Sequence, residues 1–173
     1  QETFTNGQTS LPVPVHLVND TLLETNKTFE VTVVPVTNGL GQVQGEVAIG
    51  PVPTVTILVE DDDSAVSLPQ TDVQVSELAA AVNYPIIRIG ATELPMSVDV
   101  VVLPGGVNPA TAGSDYTNIA QTLNFAENQT SNFITANIID DGIVEGNELF
   151  VVTFANFSPN ARAGVVSNMN VTI

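Results

Sequence analysis

The sequence predicts an all-β chain of sandwich type, organised as one complete repeat preceded by half of another. Three observations carry this. Val, Ile, Thr and Phe recur in short runs broken by Gly, Pro, Asn and Asp about every ten residues, the rhythm of short strands and tight turns. Within several runs apolar and polar residues alternate, which gives a strand one apolar face. The chain also repeats itself. Phe4, Gln8-Thr9-Ser10, Asp20, Glu24, Asn26, Phe29 and Val31-Thr32 recur as Phe125, Gln129-Thr130-Ser131, Asp141, Glu145, Asn147, Phe150 and Val152-Thr153, at a spacing of 121 residues without a gap. Further on, Val55-Thr56-Ile57 matches Val171-Thr172-Ile173 at a spacing of 116.

Taken in order, residues 12–17 (Pro-Val-Pro-Val-His-Leu) alternate, with Val13, Val15 and Leu17 on one face. Their prolines predict an edge strand, because Pro cannot donate to a ladder. The repeat boundary falls near Asp62–Ser64. Residues 1–62 hold only the second half of a repeat and lack its first three strands. Residues 63–173 hold a complete repeat, with strands predicted near 65–75, 84–90, 97–103, 122–126, 132–139, 148–156 and 167–173. In the run 149–154, Phe150, Val152 and Phe154 share a face. Only Glu77–Val82 could be helical, and it is too short to matter. Half a sandwich exposes unpaired edges and one uncovered inner face, and at roughly 60 residues it buries too little to be comfortably stable alone. Two readings stand for it: a fragment made by truncation or processing, or an oligomeric arrangement in which another protein chain supplies the missing strands.

Composition excludes several functions. The 173 residues carry 19 acidic and 3 basic side chains, a net charge of −16. Nucleic acid is excluded, since phosphates need Lys and Arg to displace their counterions, and so is docking on anionic lipid. No apolar run approaches the roughly 20 residues of a bilayer span, so no direct membrane insertion is expected. Absence of Cys removes disulfides, thiolate metal sites and Cys nucleophiles. The single His16 has Asn137 as its repeat counterpart, which marks an ordinary outward strand position rather than a catalytic base. Asp140 and Asp141 are adjacent on one turn, with no Trp and only two Tyr in the chain for sugar stacking. No enzyme is expected.

The carboxylates are clustered. Asp140-Asp141-Gly142-Ile143-Val144-Glu145-Gly146-Asn147-Glu148 forms one acidic turn, Asp115 sits in the loop Ala112-Gly113-Ser114-Asp115-Tyr116, and Glu77 follows the first strand of the complete repeat. The half repeat ends in Glu60-Asp61-Asp62-Asp63. Loops of a sandwich gather at its poles, and carboxylates about 4 Å apart repel by about 1 kcal/mol in water and about 4 kcal/mol at an effective dielectric of 20. Such a cluster takes up a cation or raises its pKa values. A set of hard oxygen ligands suits Ca2+; the plainer alternative is a solvated acidic loop.

These residues resemble the Calx-beta repeat. The marks are Thr111-Ala112-Gly113-Ser114-Asp115-Tyr116, Leu123-Asn124-Phe125, and Ile138-Ile139-Asp140-Asp141 running to Glu145, Glu148 and Phe150, with the Val55-to-Asp63 segment as a strand followed by acids. The resemblance implies tandem Ig-like sandwiches of seven strands, used as binding and adhesion modules, with Ca2+ as cofactor. It implies ligands at Glu77, Asp115, Asp140, Asp141, the Ile143 carbonyl, Glu145 and Glu148. In the half repeat it leaves a weaker set, Asp20, Glu24, Asp61, Asp62 and Asp63, because Asn19 replaces the first Asp and Lys27 the last Glu. Five Asn-x-Ser/Thr acceptors, Asn19, Asn26, Asn128, Asn156 and Asn170, add glycosylation sites. With the acidity and the half repeat, they look most similar to the setting of the core protein of sponge aggregation factors: secreted, extracellular, assembled from several chains, with glycans among its ligands. An intracellular calcium-sensing module of a larger membrane protein is the other reading.

Overall fold

The computed structural model describes residues 4–35, 40, 42, 49–117 and 119–173. No helix occurs among them, and the Glu77 segment is a turn. The strands are β1 (Lys27–Thr32), β2 (Thr54–Val59), β3 (Ser64–Ser67), β4 (Asp72–Gln74), β5 (Val82–Gly90), β6 (Met96–Pro104), β7 (Gln121–Phe125), β8 (Ser131–Ala136), β9 (Leu149–Ala155), β10 (Ala161–Ala163) and β11 (Asn168–Thr172).

From β3 onward two sheets form, one ordered β10-β3-β5-β8 and the other β4-β11-β9-β6-β7. Alternation decides what lies between them. Tyr84, Ile86 and Arg88 point inward from β5, and Met96, Val98 and Val100 from β6. They meet Phe125, Ile134, Phe150, Val152, Met169 and Val171, all buried. Each such side chain contributes about 1.5–3 kcal/mol relative to exposure. Among the described residues these apolar side chains form the buried hydrophobic core.

The predicted single strand at 65–75 is two strands. Ser64–Ser67 pairs with β5 and β10, whereas Asp72–Gln74 pairs in parallel with β11 in the opposite sheet. Pro69, which has no N–H, lies in the crossing between them. The three-residue β10 was not foreseen; it ends at Gly164, where an added Cβ would stand 2.9 Å from the Val66 carbonyl oxygen.

The half repeat behaves differently. β1 and β2 pair antiparallel, with Phe29 opposite Ile57. They are the counterparts of β9 and β11, which place Phe150 opposite Val171. Ile57 therefore stands where Val171 stands, two residues off the Val-Thr-Ile match read from sequence. A two-residue offset keeps every side chain on its own face. The expected edge strand at 12–17 does not form: all six residues are exposed and none is paired in a ladder. Its counterpart β8 is paired with β5, and among the described residues of 1–62 the strands are β1 and β2, which pair with each other. Alternation supplied a face, but no neighbour supplied hydrogen bonds.

The two parts meet at Gly90. Its φ is +96°, and an added Cβ would lie 2.3 Å from Leu23 Cδ1 and 2.5 Å from the Asp63 carbonyl oxygen. Buried Arg88 pins the same corner, donating to Ser64 Oγ at 2.9 Å, the Ala91 carbonyl at 2.7 Å and the Leu94 carbonyl at 2.8 Å.

Candidate metal centre

Asp115 is positioned by a tight loop between β6 and β7. Gly113, at φ +94°, turns the chain so that the Asp115 N–H donates to the Thr111 carbonyl at 3.0 Å. The Thr111 N–H donates back to Asp115 Oδ2 at 2.5 Å. The next residue fixes the loop to the sandwich: the Tyr116 ring stacks on Phe150 with centroids 4.2 Å apart. Phe150 lies two positions after Glu148, so that stack clamps Asp115 beside the start of β9. Glu148 itself is held by reciprocal backbone hydrogen bonds with Ile173, at 3.1 and 2.9 Å.

As a result Asp115, Glu145 and Glu148 each offer a carboxylate oxygen within 4.8 Å of the others. Asp115 is only 8% exposed. The electrostatic cost is visible. A carboxyl–carboxyl hydrogen bond with Asp115 raises the Glu148 pKa, reinforced by desolvation and by the charges of Asp115, Glu145 and Glu77. Desolvation raises that of Glu145, with Asp141, Asp115 and Glu77 adding repulsion. Three carboxyl groups brought this close are a pre-formed set of hard oxygen donors for a cation.

The other expected ligands surround these three. Glu77, Asp140 and Glu145 line one concavity of about 350 Å3 beside Ile173. Asp141 and Asp140 brace their own turn, with Asp141 Oδ1 accepting from the Ile143 N–H at 2.8 Å and Asp140 Oδ1 from the Gly142 N–H at 3.3 Å. The Ile143 side chain is exposed at the tip. Asn108, which the sequence did not single out, donates from Nδ2 to the Asn147 carbonyl at 3.1 Å and ties the acidic turn to the β6–β7 connection. No periodicity marks such a contact in the sequence. Arg88 was legible in principle, as a cation on the inward phase of β5.

The half repeat gathers a second, weaker set. Asn19, Asp20, Glu24, Lys27 and Asp61 to Asp63 line a concavity of about 380 Å3. Lys27 Nζ pairs with Glu24 Oε2 at 2.5 Å, so the ammonium engages one of the expected ligands. Asp61 is used structurally: its Oδ2 accepts from the Glu24 N–H at 3.0 Å, and its N–H donates to Asn26 Oδ1 at 3.1 Å. Asp63 differs. It is 4% exposed and its Oδ1 has no hydrogen-bond partner. Desolvation raises its pKa, and the charges of Asp61, Asp62 and Asp20 raise it further. An orphaned buried carboxylate oxygen fits a cation as well as a proton.

Of the sequons, Asn19, Asn26, Asn128 and Asn156 are exposed, whereas Asn170 lies within β11 and donates from Nδ2 to Asp72 Oδ1 at 2.8 Å.

The Calx-beta domain family profile matches residues 2–63 and, again, residues 59–173. Among solved structures, the chain is similar to the apo-form Calx CBD1 domain, at 22% identity and TM-score 0.59 over 64% of this chain and 96% of that one. It is similar to CBD12 from CALX1.2, at 22% identity and TM-score 0.58 over 63% of this chain and 44% of that one. It is also similar to the calcium binding domain CBD12 of CALX1.1, at 22% identity and TM-score 0.57 over 62% of this chain and 44% of that one. The chain thus spans less than half the length of the two CBD12 structures. At this identity the likeness is one of fold. No curated protein sequence matches the chain.

Proposed function

This chain belongs to the Calx-beta domain family, a family of calcium-binding modules, and from that premise we propose that it binds Ca2+ at the pole of its complete repeat and serves as a binding module rather than an enzyme. The observation that carries the reading is the convergence of Asp115, Glu145 and Glu148 within 4.8 Å. Asp115 comes from the β6–β7 loop and the two Glu residues from the approach to β9. Glu77, from the β4–β5 turn, and Asp140 and Asp141 would complete an oxygen shell of the kind Ca2+ takes. Bound there, the ion neutralises carboxylates that otherwise repel and ties separate loops of one pole together. Asp63 and its neighbours would hold a second ion with fewer free ligands, because Lys27 engages Glu24.

The setting we favour is an extracellular adhesion assembly. Its support is the exposure of Asn19, Asn26, Asn128 and Asn156 on a strongly acidic surface. The second reading is an intracellular calcium-sensing module of a larger membrane protein. Calorimetric titration of the full chain with CaCl2 tests the site. Saturable uptake that Glu148→Gln weakens at least tenfold supports it, and no uptake at 10 mM, far above the roughly 10⁻⁴–10⁻³ M of extracellular modules, removes it. Intact mass of native material separates the settings: glycan at any sequon decides for the extracellular one.

A further inference from the structure

Among the described residues of the complete repeat, Phe133 is the one aromatic side chain left exposed, at 62%; every other Phe or Tyr there is buried or half-buried. The repeat does not require a ring at this place. At the 121-residue spacing the counterparts of Phe133, Thr135 and Asn137 are Pro12, Pro14 and His16, while the inward positions between them stay apolar in both repeats. Alternation puts Phe133 and Thr135 on the outer face of β8, and Asn137 continues that row. Across the ladder in β5, Pro85 lies opposite Phe133 and Asn83 opposite Thr135. Thr117 and Gln121, before and at the start of β7, close the side, and a concavity of about 260 Å3 opens beside Phe133. This repeat carries both of its sheets, so the face lies outside its core.

The polar groups around the ring are tied in pairs that keep bonding capacity. Thr135 Oγ1 donates to Asn83 Oδ1 at 2.6 Å, which leaves Asn83 Nδ2 to donate and Thr135 Oγ1 to accept. Asn137 Nδ2 donates to Thr117 Oγ1 at 3.2 Å, which leaves Asn137 Oδ1 to accept and the Thr117 hydroxyl to donate. No residue lining the concavity is ionisable, in a chain with 19 acids. We infer that this outer face is a binding site for a neutral saccharide. A pyranose matches it on both counts: its C–H face covers an aromatic ring, and its neighbouring hydroxyls each donate and accept. Side chains two apart on one face of a strand stand about 7 Å apart, so a sugar seated on Phe133 turns its edge toward Thr135 and Asn83. Other ligand classes fit worse. An anion is repelled by a net charge of −16. A cation finds carboxylates elsewhere, and a purely apolar partner would strip water from Asn83, Asn137 and Thr117 without replacing its hydrogen bonds. The inference needs no bound ion and does not depend on the extracellular setting.

The test is an amide NMR titration of the full chain in EDTA, so that no cation can hold a sugar at the metal centre. The probes are the methyl pyranosides of glucose, galactose, mannose, fucose and N-acetylglucosamine. Each is taken to about 50 mM, some fifty times a millimolar dissociation constant. Glycerol serves as a polyol without a ring face. The expected result is saturable shifts with at least one pyranoside at the amides of Thr117, Gln121, Phe133, Thr135 and Asn137, and none there with glycerol. Phe133→Ala, at an exposed position, should weaken that binding at least tenfold while the rest of the spectrum stays that of the folded parent. Phe133→Tyr, which keeps the ring, should retain it within about threefold. Absence of saturable shifts with every pyranoside overturns the inference. So do equal shifts with glycerol, or binding unchanged in Phe133→Ala.

Discussion

Asp115→Asn separates a metal ligand from a structural residue by the sign of its effect. The substitution keeps an oxygen for the Thr111 N–H, which now donates to Oδ2 at 2.5 Å, and leaves the Tyr116–Phe150 stack untouched. It removes one of three carboxylate charges within 4.8 Å. In chelator the variant should therefore melt no lower than the parent, and slightly higher, because the repulsion on Glu148 and Glu145 falls. In calcium the order should reverse. A ligand present at 100 times its Kd stabilises the folded state by about 2.7 kcal/mol. For a repeat of this size that corresponds to a rise of about 10 °C in Tm. The variant should lose most of this rise. Differential scanning calorimetry in EDTA and in saturating CaCl2, for parent and variant, reads all four values. A variant destabilised equally in both conditions would refute the argument, because Asp115 would then be a hydrogen-bonding residue of its loop and nothing more.

Three further outcomes follow from the same geometry. Raised folded-state pKa values at Glu148, Glu145 and Asp63 contribute stability that is full below the ordinary values of 4.5 and 3.8 and is lost as pH rises through the raised ones. Asp72 and Asp99, lowered chiefly by hydrogen bonds from Asn170 and Thr122, work the other way below 3.8. Chelated protein should thus melt highest near about pH 4.5 and lower at pH 7, with calcium abolishing that decline; a thermal profile rising monotonically to pH 7 in chelator would contradict this. Gly90→Ala should cost about 2–4 kcal/mol, from the +96° φ and the collisions with Leu23 and the Asp63 carbonyl, and a denaturant midpoint within error of the parent would count against the close approach. Arg88→Met should cost about 3 kcal/mol, since the Leu94 carbonyl loses a charged donor in a buried corner. Urea unfolding measures it, and a loss below about 1 kcal/mol would mean that water replaces the guanidinium there.

Much of the complete repeat was legible before any coordinates. Inward phases of β5, β6 and β9 follow from alternation, and the acidic turn at 140–148 from a run of residues no strand could hold. The spacing of 121 residues located the counterparts of Phe150, Asp141 and Glu145. Local pattern failed where a neighbour decides. Residues 12–17 alternate as well as residues 133–138 do, yet only the latter have β5 to bond with. Residues 65–75 read as one strand, but a strand's sheet membership depends on which edge is vacant, and here β3 and β4 close edges in different sheets.

The functional site divides along the same line. Sequence alone determined which acids exist, that they cluster in loops, and that the chemistry is hard-oxygen and anionic, because side-chain type fixes charge and donor atoms. Which of those acids share one point in space was decided by the tertiary structure. Asp115 and Glu148 lie 33 positions apart, and their approach depends on the Tyr116–Phe150 stack and on Glu148 being bonded to Ile173. The exposed face of the half repeat is likewise invisible in its own residues, whose hydrophobicity matches that of their buried counterparts. Burial is a relation between surfaces, and a sequence states only one side of it.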